Sequence, residues 1–427
     1  MIGQQERWQE DLFIVGSLRE LIPDDHVLRR VDRVLDLAWL RDEVAECYCE
    51  GNGRPAIDPE AAVRLMLAGL LIGIVHDRKL MREAQVNLAI RWFAGYRLHE
   101  ALPDHSSLTR IRLRWGDERF RRIFQRTVQA CVNAGMVPGE TVHIDATLIR
   151  ANVSWDSIAE RHVEAVIQAN PVDGAMTPPG PAEKRFSATD PDAALATSDR
   201  RVRAEPSYKQ HTAVDDHAGV VVGIIVTAGD VNEGDVIGRQ LEQVGELTGR
   251  IPTTFTADAG YAYAKVFRMA EERGLRAVIP PKAEPKPRTA IPLRRFKFDA
   301  KHQIVRCPAG KTLHRSTRAP HGWYYRSSLR TCRGCSLRPR CLSPAVDRRT
   351  VVIADGFDAL LRARRHRDRW SDTERGIYKR HRWRIEGTHA DAKGQHGLRR
   401  AIRRRLWNMA VQSYLTAAAM NLKRLAA

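Results

Sequence analysis

The stretch between positions 140 and 280 constrains the fold most, because its pattern changes from successive strands to strands that alternate with helices. Three segments typical of strands come first, and the turn-rich Asp215–Gly219 between the last two is typical of a hairpin. Strands are predicted at Val142–Ile149, Tyr208–Val214, Val220–Val226, Thr253–Ala257 and Arg276–Ile279, and helices at Gly234–Leu247 and Tyr261–Arg273. Antiparallel strands followed by alternating strands and helices indicate an α/β fold with a mixed sheet covered by helices.

Three acidic residues occupy positions that suit catalysis. Asp145 lies in the first apolar run, Asp258 closes the fourth, and Glu386 falls in a stretch that is typical of a helix. A carboxylate in an apolar strand is costly to bury unless a cation or a donor meets it. The set therefore predicts a site for Mg²⁺ or Mn²⁺. Each aspartate alone is also compatible with a turn or a cap, and Glu386 with ion pairs to Arg382 and Lys393 on a solvated helix face.

The charge of the chain favours a polyanionic partner. Its 427 residues carry a formal net charge of +19, and the segment from Leu360 to Ala427 alone holds 18 Lys or Arg against 5 Asp or Glu. Arginine forks suit phosphates, so nucleic acid is the expected partner. The best candidate for a membrane span, Ala61–Val75, is too short and contains Arg64. With no pattern of a signal peptide, the cytoplasm is the expected location.

Residues up to about position 137 are predicted to be helical. Asp58 is a suitable cap and Pro59 suits the first helical position, so the broad apolar face of Ala61–Leu71 predicts a helix there. A second helix is expected over Asp77–Phe93.

A third helix is predicted to start at the cap-rich Pro103–Ser107. Its arginines Arg110, Arg112 and Arg114 are candidates for DNA contacts, because short helices with an arginine-rich last member fit a helix-turn-helix reader. A helical scaffold or a dimerisation unit explains the same pattern equally well.

Two segments have compositions that differ from the rest. Residues 170–206 are rich in Pro, Ala, Asp and Ser and predict a mobile insertion, and Lys282–Arg295 predicts a linker. Cysteines follow this linker, at Cys307, Cys332, Cys335 and Cys341. Clustered thiols in a cytosolic chain favour a zinc ribbon over disulfides, with reduced structural cysteines as the alternative. The chain is expected to end in an amphipathic helix over Leu406–Leu425.

The combination of motifs resembles the bacterial insertion-sequence transposases of the DDE class. The matching segments are Ile144–Thr147, Tyr208–His211 leading into Asp215, Ala257–Tyr261, and the set Arg382, Glu386 and Lys393. The family spacing around the glutamate is Tyr, two residues, Arg, three residues, Glu, six residues, Lys. Here Lys379 holds the tyrosine position, and Tyr378 stands one place early.

The resemblance implies a ribonuclease-H-like catalytic core and a function in DNA transposition. Asp145, Asp258 and Glu386 would bind two Mg²⁺ or Mn²⁺ ions, and Arg382 and Lys393 would contact phosphates of the transposon end. Double-stranded DNA at the terminal inverted repeats and at the target would be the substrate, bound by a homodimer or a higher oligomer at the bacterial nucleoid. Two other functions stay open: a metal-dependent nuclease without strand transfer, and a non-catalytic DNA-binding descendant of a transposase.

Four parts are predicted along the chain. They are a helical DNA-binding domain over 1–138, the first part of the catalytic core over 139–281, a linker and cysteine-rich part over 282–350, and a basic helical part over 351–427 that completes the core.

Overall fold

The computed structural model describes residues 16–49, 56–153, 189–197, 203–282 and 291–427. These residues form a mixed α/β structure with two sheets, which confirms the predicted fold class. One continuous apolar core joins the N-terminal helices to the larger sheet and to the C-terminal helix.

Within the described ranges, six α-helices precede the first strand. They are α1 Val27–Asp32, α2 Leu40–Val44, α3 Pro59–Leu71, α4 Asp77–Val86, α5 Leu88–Phe93 and α6 His105–Asn133. Asp58 caps α3 as predicted, since its side chain accepts from the N–H groups of Glu60 and Ala61.

Two of the predicted N-terminal helices differ from the structure. The helix expected over Asp77–Phe93 is interrupted at Asn87, whose extended backbone ends α4 and whose side chain accepts from the Ile90 N–H to start α5. Helix α6 runs far beyond Arg114, with a kink at Gly116, where φ is 70°. Glycine adopts this left-handed conformation without steric penalty, so the long helix bends there rather than ending.

The larger sheet contains six strands, with β1 at its centre. The strands are β1 Thr141–Arg150, β2 Ala194–Ala196, β3 Glu205–Asp215, β4 Val221–Ala228, β5 Thr254–Thr256 and β6 Arg276–Val278. Strand β1 pairs antiparallel with β3 and parallel with β5. Strand β6 continues the parallel part beside β5, while β4 and the short β2 pair antiparallel with β3. The predicted hairpin and the mixed sheet are therefore confirmed.

Helices α7 Glu233–Thr248 and α8 Ala264–Glu272 follow β4 and β5, close to their predicted positions. The predicted insertion over 170–206 is wrong where the structure describes it, because β2 lies inside that range and pairs with β3. Buried Asp190 accepts a hydrogen bond of 2.6 Å from the Tyr208 hydroxyl, which fixes this segment to the sheet. The remaining residues of the predicted insertion lie outside the described ranges.

Within the described ranges, a second, antiparallel sheet of five strands lies beside the four clustered cysteines. Its strands are β7 Lys297–Asp299, β8 Ile304–Arg306, β9 Thr312–Ala319, β10 Gly322–Arg326 and β11 Thr350–Ala354, in that spatial order. Two short helices, α9 Leu329–Arg333 and α10 Arg338–Cys341, lie between β10 and β11.

The chain closes with helices that return to the larger sheet. They are α11 Phe357–Arg367, α12 Asp372–His381, a π-helical turn at Arg382–Glu386, α13 Gly387–Gln395 and α14 Leu406–Leu425. Helix α14 was expected to be amphipathic, but every residue from Met409 to Leu422 is buried, because it packs against α3, α6 and β4. Despite its apolar content, α14 is not a membrane span, and no other helix in the described ranges has the length and apolarity of one.

Candidate active site

Asp145 occupies the middle of β1, opposite Thr212 of β3. Its side chain keeps 24% of its surface exposed. Burial, reinforced by the negative charges of Asp258, Glu233 and Glu386, raises the pKa of this carboxyl to about 7. Because each of these charges acts on Asp145, the fold has gathered four acidic side chains around the centre of the sheet.

Asp258 lies beside Asp145 because of the parallel register of their strands. His143 of β1 pairs with Thr256 of β5, and each aspartate follows its paired residue by two positions. The Gly260 N–H donates to Asp258 Oδ1 at 2.8 Å. A Cβ at position 260 would lie 2.7 Å from that oxygen, so glycine leaves room for the carboxylate.

Glu386 comes from the C-terminal helices, and its charge acts on Asp145. It is the last residue of the π-helical turn, and its side chain is 63% exposed. Arg382 Nε lies 3.3 Å from Glu386 Oε2, so the predicted ion pair between these residues is present. An exposed pair of this kind contributes little to stability, which leaves both side chains free to exchange partners.

Tyr378, which stands one place early relative to the family spacing, lies in the last turn of α12, before the π-helical turn. Tyr378 is half-buried and stacks on His381, with ring centroids 5.8 Å apart and an interplanar angle of 7°. Burial raises the pKa of its hydroxyl, and the charges of Asp258, Asp145 and Glu386 act in the same direction. Lys379, at the family spacing, is exposed. A π turn takes up one extra residue, so the tyrosine that stands one place early still lies near the carboxylates.

Two residues of α13 lie near Asp145. His389 Nδ1 is 3.7 Å from Asp145 Oδ2, and His389 Nε2 is 3.1 Å from Thr212 Oγ1. Lys393 is half-buried; burial lowers the pKa of its ammonium group, and the attraction of Asp145 opposes that change. The predicted Lys393 is therefore a neighbour of the first aspartate.

Sequence reasoning missed Glu233 and its partner Lys209. Glu233 begins α7 and raises the pKa of both Asp145 and Asp258, while Lys209 Nζ lies 2.8 Å from Glu233 Oε1. Burial would raise the pKa of Glu233, but Lys209 holds it below the ordinary value. No local motif marks Glu233, because its place depends on how α7 packs against the sheet. His389, by contrast, follows Glu386 by three residues, and helical spacing alone could have identified it.

The carboxylates are neighbours without forming a closed metal site. Across the described ranges, no three histidine, cysteine or acidic side chains lie close enough together to hold a metal ion as they stand. Asp145, Asp258 and Glu386 nevertheless offer the hard oxygen donors that Mg²⁺ and Mn²⁺ bind.

The three arginines predicted on the third helix have different surroundings. Arg110 is exposed, and the Arg114 guanidinium lies 4.8 Å from the centroid of the Tyr48 ring. Arg112 is buried and donates to both oxygens of Asp77, at 2.7 and 3.0 Å. The prediction that Arg112 contacts DNA is therefore wrong, because its buried guanidinium forms an internal ion pair with Asp77.

The four clustered cysteines border one small cavity of the second sheet. They are Cys307, Cys332, Cys335 and Cys341, all of them free thiols. Burial raises the pKa of the Cys341 thiol, and the neighbouring cysteines add to that effect, which favours the protonated form. A zinc site requires thiolates that converge on one ion. No such group occurs in the part of the chain that the structure describes, so the zinc prediction is not supported.

Two segments of the chain match models of known protein families. Residues 16–114 match the transposase domain DUF772, and residues 306–426 match a transposase DDE domain. Together the two matched segments cover slightly more than half of the chain. The chain matches no curated protein.

Several solved transposase structures are similar to the chain at low identity. The cryo-EM piggyBac transposase synaptic complex with hairpin DNA is 11% identical over 93% of this chain and 73% of that one, with a TM-score of 0.34. The Mos1 transposase paired-end complex with left transposon end is 9% identical over 56% of this chain and 65% of that one, with a TM-score of 0.17. The Mos1 strand transfer complex is 10% identical over 84% and 85%, with a TM-score of 0.18.

The matched DDE domain defines an enzyme that cuts and transfers DNA strands. The chain belongs to the DDE transposases of insertion sequences.

Proposed function

We propose that this transposase binds the terminal inverted repeats of its own insertion sequence, cleaves the strand there, and transfers the 3′-hydroxyl into target DNA. The reacting site would be formed by Asp145, Asp258 and Glu386. One observation carries the proposal: the parallel register of β1 and β5 brings Asp145 and Asp258 to equivalent positions, and burial together with the charges of Asp258, Glu233 and Glu386 raises the pKa of Asp145 to about 7.

The arrangement of the larger sheet supports a ribonuclease-H-like core. Three antiparallel strands, β4, β3 and β1, are followed by the parallel β5 and β6, with β1 between β3 and β5. The first aspartate then lies on the central strand and the second at the end of its parallel neighbour. The catalytic core is completed by the helix of Glu386, from residues 351–427.

The family implies divalent cations, and the donor set fits them. Hard carboxylate oxygens are the ligands that Mg²⁺ prefers, and a cation would offset the repulsion among the carboxylates, which adds to burial in raising the pKa of Asp145. Asp145, Asp258 and Glu386 are the residues that would hold two Mg²⁺ or Mn²⁺ ions. Such ions lower the pKa of a water or hydroxyl and stabilise a departing 3′-oxygen.

The cationic side chains would position the DNA. Lys393 lies beside Asp145, where its ammonium group can meet the phosphate under attack, and exposed Arg382 can exchange Glu386 for a phosphate oxygen. On the N-terminal helices, Arg110 and Arg114 remain available for the DNA backbone, whereas Arg112 does not. Phosphate contacts of this kind fix the register of the DNA without reading its sequence.

Assembly and location follow from the same proposal. Pairing of two transposon ends needs a homodimer or a higher oligomer, and the substrate would be the bacterial chromosome in the cytoplasm. Light scattering of the protein with and without end DNA would measure the number of subunits.

The test is cleavage of a labelled DNA that carries the end of the element and its flank, with Mg²⁺ or Mn²⁺. Wild type should cut at the terminus, and Asp145→Ala should bind the same DNA without cutting. Asp42→Ala, which changes an exposed aspartate of α2, is the matched control and should cut normally. Binding without cutting by all three proteins would refute the proposal in favour of a DNA-binding descendant. Cutting without joining to target DNA would indicate a nuclease.

A further inference from the structure

A buried network of hydrogen bonds crosses the larger sheet close to the residues that carry the three carboxylates. His143 Nδ1 lies 2.7 Å from Thr256 Oγ1, and Thr256 Oγ1 lies 2.6 Å from His381 Nδ1. At the other end, His143 Nε2 lies 2.9 Å from Asp216 Oδ1. His143 and Thr256 are 0% exposed and His381 is 5% exposed, so water does not compete for these bonds.

Along this hydrogen-bond network each group donates to the next in one direction, towards Asp216. The Arg380 guanidinium donates to both oxygens of Asp216, at 2.8 and 2.7 Å, and keeps that carboxyl ionised. His143 Nε2–H therefore donates to Asp216, and in that tautomer its Nδ1 accepts from the Thr256 hydroxyl. The Thr256 oxygen is then left to accept from His381 Nδ1–H. Burial lowers the pKa of His381 to about 3, in keeping with a neutral ring.

His143, Thr256 and His381 each lie close in sequence to one of the three carboxylates. His143 precedes Asp145 by two residues on β1, so both side chains leave the same face of the strand. Thr256 is the last residue of β5 and precedes Asp258 by two. His381 ends α12, and the π-helical turn from it leads directly to Glu386.

We propose that His143, Thr256 and His381 are positioning residues that hold the helix of Glu386 in register with the strands of Asp145 and Asp258. This inference rests on the proposed function, since it concerns the same site. Other polar contacts also join the helices to the sheet, among them the Arg380–Asp216 pair and the contact of His389 with Thr212, but these reach β3 and the residue after it rather than β5. Directed hydrogen bonds tolerate sliding less readily than apolar packing does. The network thus selects one place for Glu386 along the sheet.

Thr256 is the residue whose replacement separates hydrogen bonding from volume. Thr256→Val keeps the shape and removes the hydroxyl that bridges the two histidines by hydrogen bonds, whereas Thr256→Ser keeps the hydroxyl. Thr254→Val is the matched control, because Thr254 is a buried threonine of the same strand that does not belong to the network. Supporting residues behind metal ligands change metal affinity or activity by about 10- to 100-fold.

The experiment measures Mn²⁺ binding by calorimetry and strand cleavage in the full-length protein. Thr256→Val should lower the affinity for Mn²⁺ and the cleavage rate by at least about tenfold, Thr256→Ser should restore both to within about threefold, and Thr254→Val should match wild type. Wild-type affinity and cleavage in Thr256→Val would overturn the inference. A serine variant as impaired as the valine variant would also overturn it, because volume would then be the cause.

The tautomers of the His143 and His381 rings provide a test of the network that needs neither a cation nor DNA. In ¹⁵N-histidine spectra of the wild type, His143 should carry its proton on Nε2 and His381 on Nδ1, and Thr256→Val should lose the fixed tautomer of His381. The opposite tautomer of His381 in wild type would contradict the network. Should Thr256→Val not fold, His381→Asn and His381→Leu replace it, since the asparagine amide can donate in place of Nδ1 and should retain more activity.

Failure of the proposed function has a different signature. Wild type would then leave the element end uncut, or Asp145→Ala would cut as well as wild type, while the tautomers would still report an intact network. An active wild type, an inactive Asp145→Ala and a fully active Thr256→Val would keep the function and reject the positioning role.

Discussion

Replacement of Arg112 distinguishes an internal ion pair from a DNA contact. Its side chain and that of Asp77 are 7% and 8% exposed, and Arg403 adds a second guanidinium to the same carboxylate. Burial would raise the pKa of Asp77, but Arg112 and Arg403 hold it below the ordinary value. Loss of one partner of a buried pair costs about 3–5 kcal/mol. Because Arg403 remains, Arg112→Ala should lower the free energy of unfolding by about 3 kcal/mol.

Urea unfolding followed by tryptophan fluorescence measures this change. Buried Trp115, one turn further along α6, is a natural reporter. Arg110→Ala is the matched control, and its exposed position predicts a change within about 0.5 kcal/mol. Under native conditions, the salt dependence of DNA binding should be the same in Arg112→Ala and wild type, since no phosphate contact is removed.

Two results would refute this reasoning. An unchanged urea midpoint in Arg112→Ala would show that the ion pair does not support the fold. A flatter salt dependence of DNA binding at unchanged stability would restore Arg112 to the DNA interface.

Three further predictions concern the carboxylates and their neighbours. Asp258→Asn should reduce cleavage at least about 100-fold with DNA affinity retained. A gel-shift assay beside a cleavage assay measures both quantities, and a loss of DNA affinity together with cleavage would contradict the prediction. Without metal, the fold should lose stability as pH rises from about 4 through 7, because Asp145 has a pKa of about 7 when folded against an ordinary 3.8. Thermal melts of Asp145→Asn should lack this loss, on the order of 4 kcal/mol at most, and Mg²⁺ should oppose it in wild type. Arg382→Ala should flatten the slope of log affinity against log salt by about 0.9. An unchanged slope would show that Arg382 pairs with Glu386 without contacting a phosphate.

The strands and caps were predictable because their signals are local. The β-branched runs of β1, β3 and β4 need no distant partner to be recognised, and the cap at Asp58 is defined by its immediate neighbours. The break at Asn87 was missed because the apolar period continues across it, while a single side chain decides that α4 ends.

The site was predictable only where chemistry coincides with a local pattern. Asp145 and Asp258 stand out because carboxylates are rare in apolar strands. Glu233 and the burial of Arg112 depend on contacts with residues 24 and 35 positions away, Lys209 and Asp77, which no local window contains. The zinc prediction relied on cysteine spacing, but tetrahedral convergence of the thiolates is a property of the folded chain.

The π-helical turn has a consequence for how this helix tolerates insertions and deletions. Such a turn holds one residue more than an α-helical turn, so one residue could be deleted between Tyr378 and Glu386 without moving either end, because the turn would revert to α-helix. From Glu386 to Lys393 the helix is regular, and one residue gained or lost there would rotate the lysine by about 100° away from Asp145. Spacing is thus a strict requirement on the C-terminal side of the glutamate and a loose one on the N-terminal side.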